Sequence, residues 1–109
     1  MKIINLPRAA GKTTKAVKMS AELNIPILCA SKSYAYVVCD RAQEFDLQVK
    51  TITISELQNM KELPDSVIID ELDYVLAQLL NQITGKTIGV TMATISDDEN
   101  SHLTCIYKK

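Results

Sequence analysis

The chain has 109 residues, 47% of them apolar, and a formal net charge of −1. That length holds one domain, residues 1–109, and its core must be aliphatic because aromatics make up 5% and Trp is absent. The balanced charge excludes a protein that binds nucleic acid by bulk electrostatics, which carries a strongly basic excess. A local cation does exist: Lys2, Arg8, Lys12, Lys15 and Lys18 all precede Glu22, the first acidic residue.

The predicted elements alternate. Residues 2–6 are short and β-prone, and Pro7 ends them. Over 12–23, Ala16, Met19 and Leu23 recur at helical spacing with Val17 and Ala21 beside them. Asn24 closes that helix and Pro26 prevents its continuation. Residues 25–30 form a continuous apolar run, the mark of a strand buried on both faces. Ser31 or Ser33 caps a second helix reaching about residue 44. Residues 49–54 alternate Thr and Ile as a third strand, and Ser55-Glu56-Leu57-Gln58 reads as a capping box for a short helix.

Pro64 breaks that helix, and 66–69 give another apolar strand. Leu72, Val75, Leu76, Leu79, Leu80 and Ile83 mark one face of an amphipathic helix that stops at Thr84-Gly85. A fifth strand is expected over 87–93, with Gly89 at a close approach, and a last, edge strand over 103–107. Strands alternating with helices, several of them wholly apolar, predict a single three-layer α/β domain with a mostly parallel central sheet. Such sheets bind ligands at the carboxyl ends of their strands.

Cys29, Cys39 and Cys105 are scattered without C-x-x-C spacing and read as free thiols of a reducing compartment. His102 stands apart from other metal ligands. No leader is expected before the first strand, and no apolar run reaches the length of a membrane span, so the expected location is the cytoplasm.

Two strand ends carry chemistry. After the first strand, Arg8-Ala9-Ala10-Gly11-Lys12-Thr13-Thr14 leads into a helix. A phosphate cradle needs backbone N–H groups turned inward, a Gly where the chain turns tightly, a Lys for the outer phosphates and a hydroxyl for Mg²⁺. Gly11, Lys12 and Thr13 supply these in order. Leu6 stands where the first glycine of G-x-x-x-x-G-K-[ST] belongs, and Ala9 and Ala10 keep the loop small. The plainer alternative is a surface turn bearing a lysine. After the run 67–69, Asp70 is placed to hold Mg²⁺ and Glu71 to activate water. The plainer alternative there is a pair of acids favouring a helix N-terminus. Thr91 and Thr94 end the predicted fifth strand, where a hydroxyl senses a terminal phosphate or merely closes a strand.

With these residues the chain resembles a P-loop NTPase of the RecA-like kind. More narrowly, it is similar to the ATPase lobe of phage terminase large subunits and to the first lobe of DNA helicases. Arg8 to Thr14 is similar to the terminase variant of the Walker A loop, and Asp70-Glu71-Leu72-Asp73 resembles a Walker B in its DExD form. Residues 27–34 and 91–94 take the places of the helicase motifs after the second strand and on the sensor strand. The resemblance implies ATP and Mg²⁺ as ligands, with 9–14 around the phosphates and Thr13 and Asp70 at the metal. It further implies Lys12 and Glu71 as catalytic groups, and gives Arg8 a contact with the terminal phosphate. It also implies a sensor strand lying between the P-loop strand and the Walker B strand. Compact chains of this pattern resemble proteins of phages and prophages of Gram-positive bacteria.

The expected function is therefore ATP binding with Mg²⁺-dependent hydrolysis in phage DNA metabolism. A motor closes two surfaces on ATP, so a partner or further copies would complete this lobe. The alternative is a non-enzymatic module that binds or blocks a host protein. A nucleic-acid role through Lys15, Lys18, Lys32, Tyr34 and Tyr36 is set against a solvated helix face and aromatics packed in the core.

Overall fold

Three parallel strands run side by side through the centre of the molecule, in the order β3-β2-β4. The computed structural model describes residues 2–5, 11–92, 94 and 104–107, with side chains for 11–92 and 94. The elements are β1 (Lys2–Asn5), α1 (Lys12–Leu23), β2 (Ile27–Cys29), α2 (Lys32–Glu44), β3 (Thr51–Thr53), α3 (Ile54–Gln58), β4 (Ile68–Ile69), α4 (Leu72–Thr84) and β5 (Thr104–Tyr107). β1 and β5 form a separate parallel pair, with Lys2 opposite Thr104. The chain is thus α/β, and every strand pairing described is parallel.

β2 is central because its three residues are apolar and buried on both faces. Leu28 lies opposite Ile52 of β3 and Ile69 of β4. The alternation of side chains across a strand divides the core in two. Ile27 and Cys29 pack with Ala16 and Val17 of α1 and with Ala35, Val38 and Ala42 of α2. Leu28 and Ile52 pack on the opposite side with Ile54 of α3 and Val75 of α4.

Helix ends follow local chemistry. Asn24 closes α1 in the left-handed region at φ 55°, and Gly85 closes α4 at φ 73°. Ser31, of the two serines expected to cap α2, is the one that does so, accepting from the Tyr34 N–H. The capping box of α3 falls two residues earlier than expected. Thr53 accepts from the Glu56 N–H at 3.2 Å, and Glu56 accepts from the Thr53 N–H at 3.1 Å. The last residue of β3 already has the extended backbone a cap requires, so the helix begins without a loop. Ser55 lies inside the helix, where its Oγ accepts from the Gln82 side chain of α4.

Two expectations are corrected. Residues 87–92 form no strand and are exposed. Among the described residues no strand pairs with 87–92, and β propensity around Gly89 does not by itself make a strand. No sensor strand therefore lies between β1 and β4 among the described residues. The apolar face of α4 is also less covered than its spacing predicts: Val75 is buried, Leu76 and Leu80 are half-buried, and Leu72, Leu79 and Ile83 are exposed. The expected last strand is present as β5. No helix among the described residues is long and apolar enough to cross a membrane.

Candidate functional site

The start of α1 and the end of β4 meet. Gly11 precedes α1 at φ 81° and ψ 31°, a conformation that favours glycine. Its carbonyl accepts the Lys15 N–H at 3.0 Å, opening the helix at once. Lys12, Thr13 and Thr14 thereby occupy the first turn. That turn has no acidic residue and, among the described residues, no side-chain cap, unlike α2 with Ser31 and α3 with Thr53. Its N–H groups and the positive end of the helix dipole favour an anion.

β4 ends at Ile69, and the next residue, Asp70, is 4% exposed. A carboxylate so far from water needs donors. Two hydroxyls supply them to one oxygen: Thr13 Oγ1 donates to Asp70 Oδ2 at 2.9 Å, and the Tyr34 hydroxyl donates to the same Oδ2 at 2.9 Å. Burial, with the Asp70 charge next in effect among those raising it, pushes the Tyr34 phenol well above its ordinary range; a hydrogen bond with Thr13 opposes this. The Cys29 thiol, behind the carboxylate on β2, is pushed up to about 12 by burial first and the Asp70 charge second.

Glu71 caps α4 from the left-handed region, φ 60° and ψ 68°. The other described non-glycine residues at positive φ are Asn24 and Asp46, types that tolerate it. For Glu the conformation stores roughly 1–3 kcal/mol of strain, of the kind that persists where the surroundings over-determine a backbone. Its Oε1 lies 3.9 Å from Lys12 Nζ, with both side chains partly exposed. A pair this long and this wet adds little stability. What it establishes is position: the lysine after the glycine and the acid after the strand face each other.

Lys12, Thr13, Asp70 and Glu71 thus lie together, with Gly11 and Thr14 beside them at the start of α1. Arg8, Ala9 and Ala10 lie outside the described residues. Thr91 and Thr94 do not join the cluster; both are exposed and on no strand, and neither shares a hydrogen bond with the described site residues. Tyr34 is the residue the sequence reading missed as a site group. Its signal was its place three residues past the cap of the helix after β2, at a strand end.

Mg²⁺ prefers few protein ligands, all oxygen, and keeps waters and phosphate oxygens for the rest. The Thr13 hydroxyl and the Asp70 carboxylate are a donor set of that kind. No cluster of three or more His, Cys, Asp or Glu suited to a metal occurs among the described residues, so a site built wholly from protein ligands is not offered there.

Three of the five groups considered for nucleic acid make contacts within the chain. Lys18 Nζ sits 4.7 Å from the centre of the Phe45 ring, Lys32 pairs with Glu56 at 3.6 Å, and Tyr34 holds Asp70. Tyr36 is exposed rather than packed in the core. His102 and Cys105 lie outside the described side chains. No protein-family model, curated protein or solved structure matches this chain.

Proposed function

We propose that this chain binds ATP with Mg²⁺ between the start of α1 and the end of β4, and hydrolyses it slowly as a minimal RecA-like P-loop lobe. The observation that carries the reading is the Thr13–Asp70 hydrogen bond. It joins two motifs 57 positions apart, each of which was assigned separately to the same metal.

The places of Lys12, Thr13, Asp70 and Glu71 support a role for each. The N–H groups opening α1 bind phosphate oxygens, and the Lys12 ammonium neutralises the outer phosphates. Thr13 and Asp70 would hold Mg²⁺, which would supply charge to offset that of the phosphates. Glu71 orients a water and accepts its proton. Its displacement into the left-handed region turns it toward Lys12, at the mouth of the phosphate cradle. Arg8, just before the cradle, meets charge at the terminal phosphate. Thr91 and Thr94 remain proposed sensors, to be brought in by a partner surface.

The lobe acts in phage DNA metabolism in the cytoplasm of a bacterial host, with a protein partner or further copies completing the site. Measuring phosphate release by the wild-type chain and by Glu71→Gln tests the enzymatic part. Slow Mg²⁺-dependent release that the substitution abolishes supports it; equal background release from both overturns it.

One observation favours a second reading, a non-enzymatic module that binds or blocks a host protein. Leu72, Tyr74, Leu79 and Ile83 of α4 are large, apolar and exposed, as an interaction surface requires. A host complex that forms equally with and without ATP supports the module.

A further inference from the structure

We infer that Tyr34 is a positioning residue of this site: its hydroxyl, together with that of Thr13, clamps one oxygen of Asp70 and so sets which oxygen the carboxylate offers to Mg²⁺. The inference rests on the nucleotide reading above and goes beyond the motifs that led to it, since Tyr34 belongs to neither.

The last torsion of an aspartate is broad, and a single donor leaves its carboxylate plane free to turn. Here both hydroxyls converge on Oδ2, and no described residue donates to Oδ1. Two donors on one oxygen, arriving from α1 and from α2, fix the plane and would leave the other oxygen available toward Mg²⁺. Tyr34 is itself held at both ends. Its N–H donates to Ser31 Oγ at 3.2 Å, and its hydroxyl reaches across 36 positions to Asp70. The Ser31 cap fixes the start of α2, from which the hydroxyl reaches Asp70, and hydrogen bonds to charged groups are stronger than neutral ones.

Tyr34→Phe keeps the ring and removes the oxygen. Urea unfolding without nucleotide tests the contact. The substitution should lower the unfolding midpoint, shifting the folding equilibrium by about fivefold or more in the wild-type background and by far less in an Asp70→Ala background. Equal effects in both backgrounds overturn the contact. Calorimetry with ATP in EDTA and in Mg²⁺ then tests the positioning. Tyr34→Phe should bind metal-free ATP as the wild type does, yet lose about fivefold or more of the tightening that Mg²⁺ brings. Undiminished tightening overturns the positioning role and leaves the nucleotide reading standing. A wild-type chain that binds no ATP under either condition overturns both.

Discussion

Thr13 and Asp70 share a 2.9 Å hydrogen bond across 57 residues of sequence, from the first turn of α1 to the residue after β4. That contact joins the start of α1 to the end of β4 at the proposed site.

Glu71 separates binding from chemistry. Glu71→Gln keeps the shape and the position facing Lys12 but removes the base. ATP affinity should stay within about twofold of wild type while turnover falls about 100-fold or more, the usual weight of a positioned general base. Parallel calorimetry and phosphate-release assays check both halves.

Strain at the same residue gives a stability test of opposite sign. Glu71 sits at φ 60°, where glycine is at ease. Glu71→Gly relieves roughly 1–3 kcal/mol of strain and gives back part of it by loosening the unfolded chain. The net expectation is a fold more stable by about 1 kcal/mol, with hydrolysis lost. Denaturant midpoints measure it, and Glu71→Gln, which keeps the strain, is the control.

The capping box of α3 fixes the start of that helix directly at the end of β3. Thr53→Ala removes the acceptor for the Glu56 N–H and should cost about 1 kcal/mol. The Glu56 carboxylate is held below its ordinary range by its hydrogen bonds to the Thr53 backbone and side chain. A lowered carboxylate contributes stability that is present above its unfolded value and lost as pH falls through its folded one. The variant should accordingly lose less stability than wild type on acidification, as thermal melts from neutral to acid pH will read.

Alkaline pH acts through Cys29. Its thiol is raised from 9.0 to about 12, so between those values the unfolded chain gives up a proton that the folded chain keeps. Stability should therefore fall as pH rises above about 9, with a slope of about 1.4 kcal/mol per pH unit from this group. Cys29→Ala should remove that slope. Mass spectrometry after alkylation at pH 8 should find Cys39, which is partly exposed, modified before Cys29, which is buried.

Much of this was legible in the sequence because local rules decided it. Residues 27–29 are wholly apolar and became the central strand; Gly85 ended α4 as its position implied. The start of α1 meets the end of β4 although β1 pairs with β5, apart from the sheet that holds β4, so a shared sheet does not explain that meeting. What was not legible depended on neighbours. Whether 87–92 joins a sheet is decided by a strand to pair with, not by its own Thr and Ile content. The α3 cap moved to Thr53 because β3 ends in the required backbone, which no spacing rule reports. Tyr34 looked like a stacking or core aromatic until the fold brought its hydroxyl to a buried carboxylate.

The most direct measurement of the central claim is isothermal titration of the wild-type chain and of Lys12→Ala with ATP and Mg²⁺. The account predicts saturable one-to-one binding by the wild type and a loss of about 100-fold or more in affinity, some 2.7 kcal/mol, in the variant. Equal heats from the two chains, or none from the wild type, would contradict it.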